Sequence, residues 1–344
     1  MRGTTEESRE KLGINSARRT VVYAEQAQKV ATKQIAKHES PIIIAIAIKL
    51  SPPHNHQKRG EKNMGENGKV KMMIGLLIAG LLHGGLVWAN TLQDEAPEKS
   101  KKTFELGTEA SWIKYEEPDV MEEEGVMGGL NASLSERWAN HVVVQADGHI
   151  NWGSVDYDSN GTGSIDNISD FLGEARVSAG YDFYVLEASR VTPYVGFGYR
   201  YLLDEIGGET SSTGALGYDR ESNYFYVPIG FETQTAINDS WRLGFTLEYD
   251  LFISGKQKSH LEDAIAGLDT LENDQDEGWG ARGSIRLTKV SDRFDFFLEP
   301  FVRYWNIAQS DTKSITYSGT PIGVVGYEPK NNSTQGGVKL GMQF

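Results

Sequence analysis

The chain has 344 residues, 39% of them hydrophobic, no cysteine and a formal net charge of -14. That length allows one large all-β domain or two smaller ones, and the lack of cysteine excludes disulfides, thiolate metal sites and lipidation at a cysteine. The 34 basic and 48 acidic residues, less the 14 and 7 in residues 1–71, leave 20 and 41 in residues 90–344, a net of -21 that disfavours nucleic acid as a partner.

The front of the chain reads as a targeting segment. Lys69–Val70–Lys71 precedes the apolar run Met72–Leu82, and Val87–Trp88–Ala89 follows it. A basic flank, an apolar centre and a Val-x-Ala exit predict a signal peptide over 64–89, cleaved after Ala89. A transmembrane anchor is the alternative, but His83, Gly84 and Gly85 interrupt the run. Residues 1–63 are then a non-native upstream extension or disordered, with translation starting at Met64 or Met72. Residues 90–103, polar and containing Pro97, read as a periplasmic linker.

From Phe104 onward, apolar and polar residues alternate with the period of two that marks strands. Ten strands are expected near 104–116, 125–137, 141–153, 170–182, 191–204, 221–235, 241–254, 278–289, 293–308 and 332–344. In the third, Val142, Val144, Ala146, Ile150 and Trp152 oppose Gln145, Asp147, His149 and Asn151. In the last, Val338, Leu340, Met342 and Phe344 oppose Gly337, Lys339, Gly341 and Gln343. A mean hydropathy of -0.43 does not argue against membrane strands, because each hides its apolar half among polar residues.

The connectors are unequal. Those at 137–140, 183–190, 236–240 and 290–292 are short, while those at 117–124, 154–169, 205–220, 255–277 and 309–331 are mostly longer and acidic or rich in Gly and Ser. Short turns on one side and long loops on the other predict a transmembrane antiparallel up-and-down β-barrel of about ten strands, with long extracellular loops. A count of eight follows if the fifth and sixth strands are a miscounted weak pair. Aromatics near strand ends suggest interfacial girdles: Trp138, Tyr181, Trp241, Phe294 and Phe344 inside, and Tyr115, Trp152, Tyr201, Tyr224, Tyr249 and Trp305 outside. Closure requires residues 332–344 to pair with the first strand.

Several stretches, among them Phe104–Glu105–Leu106–Gly107, Tyr115–Glu116–Glu117–Pro118, Tyr194–Val195–Gly196–Phe197–Gly198–Tyr199–Arg200–Tyr201 and Glu299–Pro300–Phe301–Val302–Arg303–Tyr304–Trp305–Asn306, together with Phe344, resemble the bacterial outer-membrane β-barrel (porin-like) proteins. The resemblance covers 104–344. It implies location in the outer membrane among its lipid and lipopolysaccharide, and assembly by the barrel assembly machinery with Phe344 as the signal. It implies no fixed activity and no oligomeric state.

The inward faces carry Glu105, Glu109, Glu174, Arg176, Arg200, Glu232, Arg242, Glu248, Arg282, Arg286, Glu299, Arg303 and Lys339. A charge-paired plug fills a narrow barrel of this size; a narrow polar pore is the sharper alternative. Asp156, Asp158 and Asn160, in a D-x-D-x-N-G run, match the opening of a Ca²⁺ loop, but Asn167 stands where a bidentate Glu is needed and Asx turns explain the same residues. No other cofactor is indicated. Among enzymes, an omptin-like protease needs an Asp–His pair facing an Asp pair across the outer rim, and His260 with Asp263 is the one pair at that end. The expectation is therefore a structural or porin-like protein without enzyme activity, with adhesion through the long loops as the alternative.

Overall fold

The structure, a computed structural model, describes Lys49–Leu50 and residues 100–344 apart from Glu187. The expected signal peptide and its cleavage position, together with most of the upstream extension and linker, lie outside the described residues. Ten long strands run up and down: β1 Lys101–Glu117, β2 Met121–Arg137, β3 Val142–Ser159, β4 Gly163–Tyr181, β5 Ser189–Glu205, β6 Arg220–Asn238, β7 Trp241–Ser259, β8 Gly278–Lys289, β9 Asp295–Ile307 and β10 Asn331–Gln343. Each pairs antiparallel with the next. β10 pairs back onto β1 from Asn332–Glu116 to Gln343–Glu105, which closes the barrel and leaves no strand edge to lipid.

Two expected long loops are strands instead. Residues 117–124 and 154–169 continue β1 through β4 and reverse in tight turns at 118–120 and 160–162. Asp119 adopts the left-handed backbone at the first turn, with φ 68°. The reason lies in the outward faces. Lys114, Glu116, Glu122, Glu124, Asp156 and Asp158 sit at outward positions of these extensions, where the wall meets water rather than lipid, so charged residues occupy strand positions. Strands of 17–19 residues span roughly 55–60 Å, well beyond a bilayer core.

The lipid-facing belt is continuous. Phe104, Leu106 and Trp112 on β1, Val126, Leu130 and Leu134 on β2, Phe245 and Leu247 on β7, and Leu298 and Val302 on β9 are all exposed. Such a band of exposed apolar side chains, with Val126 at 68% exposure, would be unfavourable in water and is what a hydrocarbon core solvates. An outer aromatic girdle bounds it, with Trp112, Trp152, the Phe171–Tyr201 pair and stacked Tyr249–Trp279. Three expected girdle members do not belong to it. Tyr115, Tyr224 and Trp305 are at most 4% exposed and point inward, because each shares the strand parity of inward residues such as Glu109, Glu232 and Arg303.

The outer ends carry further structure. After β7 comes a turn of helix, Leu261–Ala264, and a strand, Leu271–Gln275, that runs back along β7. After β9 a hairpin of Lys313–Tyr317 and Thr320–Gly326 rises. Tyr218, Leu261, Leu268, Leu271, Ile315 and Ile322 form a small apolar core among these segments.

Candidate functional site

The lumen divides into three levels. The lowest is a polar cavity of about 220 Å³ whose wall is drawn from all ten strands, from Lys101 and Gln343 at its periplasmic end to His149, Glu174, Arg282 and Arg303 at its inner end. Above it lies a belt of ion pairs, and above that a plug of buried side chains.

Most of the inward charges expected from the sequence meet in the belt. Arg282 donates to Glu174 (2.6 Å) and Asp250 (2.8 Å) and forms an ion pair with Glu248 (2.8 Å). Arg176 donates to Asp147 (2.6 Å) and Glu248 (2.7 Å), and Tyr194 donates its hydroxyl proton to the other Glu248 oxygen (2.6 Å). Arg303 grips Glu109 with both terminal nitrogens, at 2.8 and 3.1 Å. Arg286 bridges Glu299 (2.5 Å) and Glu105 (2.7 Å), and Lys339 adds a contact to Glu299 (3.3 Å). Three members stand apart, among them Arg242, which pairs with Asp295 at 2.9 Å near the periplasmic mouth. Glu232 lies near the periplasmic mouth with Arg137 and Arg190. Arg200 lies higher, its guanidinium over Tyr224 and Trp305 and one nitrogen 3.4 Å from Ser333 Oγ. Shared partners gather the belt into three groups, Arg282 and Arg176 around Glu248, Arg303 with Glu109, and Arg286 with Lys339 around Glu299; leaving a buried member of such a group unpaired costs several kcal/mol.

The sequence reading expected a charge-paired plug and missed its apolar and aromatic part. β1 to β5 contribute Ile113, Tyr115, Met127, Val155, Tyr157, Leu172 and Leu202 to one buried cluster, and β6, β7 and β9 contribute Tyr224, Tyr226, Phe252, Trp305 and Ile307 to another. Tyr226, Phe252 and Ile307 have 0% exposure and Leu172 and Leu202 1%, so the side chains fill the lumen at this level. Gly198 makes room for one of these rings: a Cβ there would overlap the Tyr226 ring. Within the plug Arg220 donates to Glu117 (2.5 Å), Glu328 (2.6 Å) and the Tyr115 hydroxyl (3.1 Å). Glu117 and Arg220 were hidden in segments read as loops; their parity with the inward residues was the available signal.

The remaining candidates lie elsewhere. Asp156 and Asp158 sit exposed on the outer face of β3 instead of curling around a centre, and Asp156 Oδ1 accepts from the Asn167 backbone N–H at 2.9 Å, where Asn167 has φ 59°. Asn160, in the β3–β4 turn, donates to the Asp119 carbonyl. Among the described residues no cluster of three or more His, Asp or Glu has a metal-holding arrangement. His260 does not pair with Asp263. Its Nε2 meets Glu221 (2.9 Å) and its Nδ1 meets Glu262 (3.3 Å), while Asp263 accepts from the Asp219 backbone. In the lumen Asp147 is held by Arg176, and His149 Nε2 is buried without a hydrogen-bond partner among the described residues.

No protein-family model matches the chain, and no curated protein matches it. Solved structures do. The crystal structure of the outer membrane protease OmpT from Escherichia coli aligns with a TM-score of 0.50 at 9% identity, covering 74% of this chain and 99% of that one. This chain has the outer-membrane β-barrel fold. The toluene transporter TbuX of Ralstonia pickettii (TM-score 0.31, 11% identity, 73% and 89% covered) and the attachment invasion locus protein Ail of Yersinia pestis (0.28, 10%, 71% and 99%) are further barrels that align. At 9% identity the likeness to OmpT is one of fold.

Proposed function

We propose that this barrel is a structural protein of the bacterial outer membrane, without enzyme activity, whose lumen is sealed at its outer end. One observation carries this reading: inward residues from both walls, Leu172 and Leu202 at 1% and Tyr226, Phe252 and Ile307 at 0%, are buried above the charged belt. A polar cavity open toward the periplasmic end and stopped by an aromatic plug suits an envelope anchor better than a free solute path. The reading includes delivery by a signal peptide, lipid and lipopolysaccharide around the apolar belt, and assembly through the strand ending at Phe344.

Planar-bilayer recording tests it. The wild-type barrel is expected to stay closed for most of a recording, whereas Trp305→Ala, which empties part of the plug, opens frequently. Equal conduction by the two would defeat the sealed-lumen reading.

A second reading, ligand binding at the outer face, rests on the apolar core of Leu261, Leu268, Leu271, Ile315 and Ile322. That core gives the outer segments a fixed shape, and fixed loops on a rigid scaffold suit recognition. Loss of cell attachment on removing residues 261–275, with the barrel still heat-modifiable, would favour it.

A further inference from the structure

Three carboxylates inside the plug have no cation facing them with a hydrogen bond. Asp170 on β4 stands directly opposite Asp204 on β5, and Asp204 directly opposite Arg220 on β6. All three are buried. Yet Arg220 reaches across the lumen to Glu117, Glu328 and Tyr115. One oxygen of Asp170, one of Asp204 and both of Glu123 are buried with no hydrogen-bond partner among the described residues. Glu123 sits on β2 between Tyr115 and Tyr157 in register, at 1% exposure.

The other charged groups around them do not redress the balance. From β1 comes Glu117, already held by Arg220, and from the segment before β10 comes Glu328, held likewise. Arg200 on β5 turns to Tyr224, Trp305 and Ser333. Glu205 on β5 and Asp219 before β6 add negative charge, and Tyr157 and Tyr218 are the nearby phenols. Ionised carboxylates buried like this are strongly disfavoured, and facing ones repel further. A proton neutralises them without needing room.

We propose that Glu123, Asp170 and Asp204 form a proton-holding site: the Asp170–Asp204 pair shares one proton, Glu123 holds another, and losing them loosens the plug. The proposal rests on the reading that the plug seals the lumen. It assigns the outer gate a trigger, with acid closing it and base opening it. Glu123 and Asp204 both project beyond the outer girdle. Burial drives both upward, with Asp204 adding to the effect on Glu123, and Asp204 reaches about 6 although Arg220 pulls it down. For an acid raised in the closed state, the stabilising contribution is complete below the usual Asp value of about 4 and is lost as pH rises through about 6.

The test is planar-bilayer recording of the purified barrel at about pH 5 and about pH 8, for wild type, Asp204→Asn and Glu123→Gln. Both substitutions imitate the protonated side chain, and heat-modifiable migration verifies each fold; should one variant fail to fold, the other decides. Wild type is expected to open at least about tenfold more often at the higher pH, with either variant showing a smaller rise and the two substitutions combined staying closed at both. Silence of wild type at both values overturns the proton site and leaves the sealed lumen standing. Equal conduction by wild type at both values overturns the sealed lumen itself. A pH response that survives both substitutions overturns the assignment to these carboxylates.

Discussion

The backbones of Phe104 and Phe344 exchange two hydrogen bonds, 3.1 Å from the Phe104 N–H to the Phe344 carbonyl and 2.8 Å in return, and their rings stack with centroids 6.2 Å apart. This is the inner end of the β10–β1 seam, where closure is completed. Phe344 also lies against Phe294, at 5.9 Å, so one residue ties β1, β10 and the β8–β9 turn at the lower interface.

Deleting Phe344 removes both hydrogen bonds and both ring contacts, whereas Phe344→Ala removes the rings alone. The deletion is expected to lower the yield of heat-modifiable barrel in outer membranes several-fold, and the alanine variant to lower it less. Comparable yields from wild type and deletion would show that the seam closes without this residue.

Arg282 faces three carboxylates, Glu174, Glu248 and Asp250, with its side chain only 9% exposed. Arg282→Met leaves Asp250 without its cation and Glu174 with only Arg176 at 3.8 Å, and is expected to cost about 3–5 kcal/mol. Arg242→Met at the periplasmic mouth breaks one part-exposed pair with Asp295 and is expected to cost about 1 kcal/mol or less. Urea unfolding of the two variants in lipid vesicles checks the ordering.

Gly198 faces the Tyr226 ring so closely that a methyl group there forces the ring to move. Gly198→Ala is therefore expected to lower stability by about 1–3 kcal/mol, the usual cost of overpacking. It should also raise the open probability in bilayers, since Tyr226 is part of the plug. A variant as stable and as closed as wild type would mean that the ring has room to yield.

His260 lies in the outer segment after β7. Burial works against its charge, but hydrogen bonds with Glu221 and Glu262 outweigh it and raise its pKa above the ordinary value. A histidine raised in the folded state stabilises fully below the unfolded value of about 6.5, and that contribution disappears as pH rises through the folded value. Protease cleavage within 261–270 should thus be slower at about pH 6 than at about pH 9, and His260→Ala should abolish the difference. Equal cleavage of wild type at both values would remove the clamp.

Much of the wall was legible in the sequence because strand facing depends on parity alone. Val338, Leu340 and Phe344 against Lys339 and Gln343 announce a lipid face and a lumen face without knowledge of any neighbour. Parity also held the answer for Tyr115, Tyr224 and Trp305, which proximity to strand ends misassigned to the girdle. Loop composition hid the projecting strands, since Asp156 and Asp158 look alike whether they sit in a loop or on a water-facing strand.

The tertiary structure alone decided who meets whom inside. Arg282 and Glu174 are separated by 108 positions and come together because the wall closes on itself and the two project across the lumen. The same closure brings Arg220 to Glu117 and Glu328, leaving Glu123, Asp170 and Asp204 unanswered. Alternation, a property of one strand, was therefore determined by the sequence locally. The sealed plug was not, because it depends on registers summed around ten strands, and a shift of one residue in any of them would turn a different side chain inward.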